Sequence, residues 1–152
     1  MSKTALLGVQ NIGTQTVLAD GLINLGSAYR RYCYKNNCGV STFSRTSNDI
    51  TLQQSGIYHV TATFVGTGET AGDVTIQMYV NGVPVDGAIS TETITTATTE
   101  FRTFVIDRYV LVDRDCVLGN ESTIANTISF VNVSDGIDAT FTNVVVNVTK
   151  EV

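Results

Sequence analysis

The chain has 152 residues, of which 43 % are hydrophobic and only 15 % charged, and it carries a net charge of −5. That length makes one domain with a core of its own. The acidic balance excludes nucleic acid as a partner, because such binding rests on neutralising phosphates with lysine and arginine. Threonine, serine and asparagine stand where charges usually do, which suits strands with wet faces or subunit contacts better than an amphipathic helical bundle. The basic cluster Arg30, Arg31 and Lys35 reads as a solvated turn flank, the alternative being a contact with an acidic patch on a neighbouring subunit. No stretch approaches the ~20 apolar residues of a membrane span, so no membrane partner is expected. The opening, Met1 to Gly8, lacks the apolar run of a signal peptide, which predicts a product made in a cytosol that stays soluble.

In chain order, residues 1–15 are polar and irregular. They predict an N-terminal arm held by another copy or another protein, ahead of a domain over residues 16–152. Residues 16–25 read as two short strand pieces around the turn dipeptide Asp20-Gly21. Residues 29–34 and 39–43 flank Lys35-Asn36-Asn37 and predict a hairpin. Cys33 and Cys38 lie on either side of that turn; free thiols are the simpler state in a reducing compartment, and a bridge after release to an oxidising medium is the alternative. Cys116 leaves the count odd.

Ile50-Thr51-Leu52 predicts a short strand, and Gln54-Ser55-Gly56 the turn into a longer one. Over residues 57–65 the alternation is strict: Tyr58, Val60, Ala62 and Phe64 on one side, Ile57, His59, Thr61, Thr63 and Val65 on the other. Residues 66–72 predict a loop. Residues 74–80 alternate again with Val74, Ile76, Met78 and Val80 inward, and Asn81-Gly82 then signals a two-residue hairpin. Pro84 marks the returning strand as an edge or a first position. Residues 90–100, nearly all Thr, Ser and Glu, predict a long exposed loop or a hydrated strand.

Residues 101–112 form a strand with Phe104, Ile106, Val110 and Val112 inward. Arg102 and Arg108 share that parity, so a bulge or an end-on exposure must interrupt it. Residues 127–133 and 138–148 give the last strands. In the final one Val144, Val146 and Val148 share one face with Thr142, and Phe141, Asn143, Val145 and Asn147 take the other. No segment has helical spacing. Many short strands at regular intervals mean an all-β sandwich or barrel.

The run Ile50-Thr51-Leu52, Ser55-Gly56-Ile57-Tyr58, then residues 74–82, then a valine-rich closing strand resembles the C1q/TNF-like jelly roll over residues 16–150. The resemblance implies an antiparallel jelly-roll β-sandwich and a threefold homotrimer, with the tyrosine of the Gly-Ile-Tyr start at the base of the core. Short cytosol-made versions resemble bacteriophage virion proteins. The expectation is a structural protein of head-fibre or capsid-decoration type, made in the host bacterial cytoplasm, placed on the virion and attached to other virion proteins through residues 1–15. Ile57, His59, Val65, Tyr79 and Phe141 are the expected trimer-interface residues; ordinary sandwich packing is the alternative for Tyr79 and Phe141. The other functional expectation is a module recognising host-surface glycan through residues 66–72 and 90–100.

No enzymatic activity, cofactor or metal is expected. His59, the single histidine, has no carboxylate beside it in sequence, and a base needs a nucleophile and an orienting acid. No Gly-x-Ser-x-Gly elbow, Walker or dinucleotide glycine pattern occurs. Asp113, Asp115, Asp135 and Asp138 read as turn formers, with calcium the lesser alternative, since a calcium site wants six or more oxygens. The sequons at Asn120, Asn132 and Asn147 are by-products of an Asn/Thr-rich chain.

Overall fold

The computed structural model describes residues 5–33, 41–112 and 126–151. The turn 34–40, the pairing of Cys33 with Cys38, Cys116, and the acids Asp113 and Asp115 lie outside them.

Among the described residues every regular element is a strand. The first sheet holds β1 (Ala5–Asn11), β2 (Gln15–Val17), β3 (Ser27–Cys33), β6 (Gly56–Gly68), β9 (Arg102–Val112) and β11 (Ala139–Lys150), in the order β3-β1-β11-β6-β9 with β2 beside the start of β11. The second holds β4 (Ser41–Ser44), β5 (Asp49–Leu52), β7 (Gly72–Val80), β8 (Val83–Ile94) and β10 (Asn126–Asn132), in the order β4-β5-β10-β7-β8. All pairings are antiparallel. The inward faces enclose one core, as alternation requires of two packed sheets. At its centre Phe64 meets Phe130 edge-on at 5.3 Å, and Phe141 lies 6.1 Å from Phe64 and 6.3 Å from Phe104.

The entry to β6 follows from its residues. Gly56 has φ 146°, a backbone that L side chains rarely adopt, and it turns the chain into the strand. Tyr58 is then fully buried, its hydroxyl donating to the Gln54 carbonyl at 2.7 Å, and burial raises its pKa. Asn81 and Gly82, at φ 54° and 76°, close β7 onto β8 as a two-residue hairpin of the primed kind. Pro84 sits on β8, an edge strand, where a missing N–H costs little.

Three expectations are corrected, and one pair of alternatives on β9 is decided in favour of exposure over a bulge. Residues 5–11 of the predicted arm are not apart from the domain: β1 lies inside the first sheet between β3 and β11, and Leu7 and Val9 are core residues. With only two inward apolar residues, and Leu6 apolar on the other face, the alternation is too short to read. The predicted hairpin of residues 29–43 does not form; β3 pairs with β1 and β4 with β5, so the chain changes sheets there. On β9 the register with β6 is unbroken from Val112 to Arg102, so no bulge is involved; Arg108 instead lies at the open edge, its guanidinium against Gly87 of β8.

Phe141 is the third correction. A bulge at Thr142, with Phe141 opposite Gly66 and Asn143 opposite Val65, inserts one residue and reverses the parity of β11. Phe141 therefore joins Val144, Val146 and Val148 in the core and is fully buried. Its ring takes the space a side chain at residue 66 would need, since a Cβ on Gly66 would sit 2.5 Å from it.

Candidate functional site

The feature that the described residues leave uncovered is the outer face of the first sheet. On β6 this face carries Ile57, His59, Thr61, Thr63 and Val65, and on β9 Thr103, Val105, Asp107, Tyr109 and Leu111. Register sets them in rows: Ile57 opposite Leu111, His59 opposite Tyr109, Thr63 opposite Val105. Leu111 is 64 % exposed, Tyr109 63 %, Val105 53 % and Ile57 39 %. At the other side of the sheet Tyr32, 54 % exposed, stands opposite Leu6. Ile57, Leu111 and Tyr109 adjoin in neighbouring rows, and monomers rarely leave contiguous apolar patches wet.

Polar groups on the face are ordered by the sheet beneath. Tyr29 lies across β1 at Gly8 and donates to Asn147 Oδ1 on β11 at 2.6 Å. Glycine at 8 is what permits this, for a Cβ there would be 2.7 Å from the Tyr29 ring. His59 stacks on Tyr109, with ring centroids 4.7 Å apart and planes 18° apart. Its Nε2 contacts the Asp107 carboxylate, and its Nδ1 lies 4.0 Å from Glu151 Oε1. The carboxylates that sequence adjacency did not place beside His59 are thus delivered by the neighbouring strand and by the chain end. Both ring nitrogens face acids and one ring face is covered by tyrosine. That is a braced side chain on an open sheet, not a base aimed at a hydroxyl.

Of the five expected interface residues, the structure brings Ile57, His59 and Val65 onto this one face. Tyr79 is on β7 in the second sheet, half-buried, with the core between it and Ile57. Phe141 is inside that core. Sequence reasoning missed Val105, Tyr109 and Leu111. Their signal lies in β9 itself, where three of the five outward positions are apolar.

Strands take residues 66–68, 72 and 90–94, leaving the turns 69–71 and 95–101. The second turn is satisfied internally. Glu100 accepts from Thr95 N, Thr95 Oγ1 and Thr96 N, and Arg102 grips its other oxygen at 2.6 Å. Hydrogen bonds from Thr95 foremost, then Arg102, hold the Glu100 pKa at about 2. Asp138 accepts the Ala19 N–H at 2.9 Å, and no cluster of three metal-ligating side chains occurs among the described residues.

No protein-family model and no curated protein sequence matches the chain. Solved structures match it over its full length. Eiger TNF from S. frugiperda superposes with a TM-score of 0.66 at 10 % identity, covering 100 % of this chain and 94 % of that one. Murine APRIL at pH 5.0 gives 0.65 at 5 % identity, covering 98 % and 99 %. PRD1 vertex protein P5 gives 0.55 at 19 % identity, covering 98 % and 96 %. At such identities the likeness carries the fold, and the fold is the TNF-like jelly roll.

Proposed function

We propose that this chain is a structural bacteriophage virion protein, a homotrimeric head fibre or capsid-decoration protein, whose copies meet through the outer face of the first sheet. The observation that carries the reading is the adjoining exposed side chains of Ile57, Leu111 and Tyr109, with Val105 further along β9, an apolar surface that no part of the described chain covers. A second copy can bury it, and a threefold arrangement is what the jelly-roll resemblance implies. A vertex protein among the fold neighbours supports a place on the virion. The role is non-enzymatic: His59 braces the face between Asp107, Glu151 and Tyr109. Light scattering after size exclusion at micromolar concentration tests the assembly. The expected mass is near three times 16.3 kDa; a stable monomer overturns the proposal. Electron microscopy of the intact particle tests the location.

A further inference from the structure

On the lateral edge formed by β3 and β4, the last strands of their sheets, a cavity of about 450 Å³ opens between the β1–β2 connection, the loop before β3 and the β4–β5 turn. It lies at the opposite end of each sheet from β8 and β9, and its described lining comes from one copy. We propose that it binds an acidic saccharide, a pyranose bearing one carboxylate. This goes beyond the structural role proposed above and does not depend on it.

The floor is built rigidly. Gly26 adopts φ 81° and presses against β1, where a Cβ would come within 2.0 Å of the Gln10 carbonyl oxygen. Gln15 pairs with the backbone of Asn24 as a strand would, accepting its N–H at 2.9 Å and donating to its carbonyl at 2.7 Å. Asn11 donates to the same carbonyl at 3.2 Å, and Asn24 Oδ1 accepts the Gly26 N–H at 2.8 Å. These bonds engage the backbone of Asn24 and its side-chain oxygen, and they leave its Nδ2 donors at the cavity. Gln10 and Ser27, opposite one another in register, also line it. So does Arg45, and no carboxylate among the described residues pairs with its guanidinium. Ile12, 75 % exposed, forms an apolar lip.

Each feature matches a part of such a sugar. A guanidinium is the side chain that grips a carboxylate in a bidentate pair. Amides and a hydroxyl donate and accept at once, as vicinal sugar hydroxyls require. An aliphatic lip suits the C–H face of the ring. The volume lies in the range of small-molecule sites, roughly 300–1,000 Å³. A single cation among neutral groups fits one negative charge surrounded by hydroxyls better than a phosphate. In a chain of net charge −5, an unpaired arginine at a cavity mouth is the group that selects an anion.

The test is a nuclear magnetic resonance titration of the full chain with methyl glucuronide, N-acetylneuraminic acid, methyl glucoside and inorganic phosphate. At least one of the two acidic sugars is expected to shift the side-chain amide signals of Asn24 and Gln10 and to saturate in the millimolar range. The glucoside and phosphate should bind at least about tenfold more weakly, the scale of one hydrogen-bonded charge pair. Arg45→Met, at an exposed turn, should weaken the acidic sugar by about tenfold with the melting temperature unchanged. Phosphate or the glucoside binding as well as the acidic sugars, no shift with either sugar at tens of millimolar, or an Arg45→Met chain that binds like the parent would each overturn the proposal.

Discussion

On β6 the inward side chains Tyr58, Val60, Ala62 and Phe64 are fully buried, while Ile57 on the outward face of the same strand is 39 % exposed. On β9 the contrast is sharper: Phe104 and Ile106 are buried, and Val105 between them is 53 % exposed. One sheet therefore has two apolar faces, and the described residues of its own chain cover only one. The inner face explains why the chain folds, and the outer face explains what the folded chain can join. Hydrophobic content alone does not separate the two roles. The partner sheet does, because it covers one side only.

The strongest way to break the comparison is to remove an inner-face ring. Phe141→Ala empties a site between Phe64 and Phe104 and should cost roughly 3–5 kcal/mol of folding stability, read from urea denaturation. A loss below about 1 kcal/mol, the scale of a surface change, would return Phe141 to the outer face. Leu111→Asp attacks the other face. It should weaken assembly by ~2–4 kcal/mol per subunit contact, in the hot-spot range, and shift the scattering mass toward 16.3 kDa. The unfolding transition of the dissociated chain should remain cooperative, because Leu111 lies on the exposed face and outside the buried core. An unchanged mass would place the subunit contact elsewhere.

Tyr29→Phe sharpens the comparison at smaller scale. The ring still lies over Gly8, but the bond to Asn147 is lost. The expected cost is about 1 kcal/mol or less, the net worth of one exposed hydrogen bond, with assembly mass unchanged. A fall in mass would show that Tyr29 orders the face for a partner rather than for its own sheet.

Much of the fold was legible in the sequence. Gly56 before Ile57-Tyr58, the parity of β6 and β7, and Asn81-Gly82 each fix a local geometry through sterics that act within a few residues. What failed to show was non-local. The bulge at Thr142 is set by Gly66 on another strand, which makes room for the Phe141 ring, so parity counted along β11 alone put Phe141 on the wrong side. β1 was hidden because its alternation rests on only two core residues, Leu7 and Val9, with the apolar Leu6 on the other face. The neighbours of His59 come from β9 and from the chain end, which adjacency cannot supply. The buried Asn132 read only as a sequon. It sits where β10 points inward, donating to the carbonyls of Val17 and Ile137 and accepting from Ser134. Its partners lie on separate segments, and only the folded chain gathers them.

The smallest expected effect concerns where β9 starts, and hence which of its side chains reach each face. The turn between β8 and β9 is held by the Glu100 carboxylate, and the folded pKa, about 2, lies below the ordinary 4.5. A depressed carboxylate stabilises the fold above its unfolded pKa and ceases to as it is protonated. The contribution of Glu100 is therefore present in full above pH 4.5 and fades as pH falls toward 2. Nuclear magnetic resonance titration of the Glu100 side chain should show a midpoint near 2 in the parent. Thr95→Val should raise it more than Arg102→Leu, because the Thr95 hydroxyl is the larger cause and the arginine the second. If the order of the two variants reverses, the turn is held by the ion pair. The start of β9 would then respond to salt, since exposed pairs are screened within a Debye length of about 10 Å at 0.1 M, and the outer-face residues that follow it would share that sensitivity.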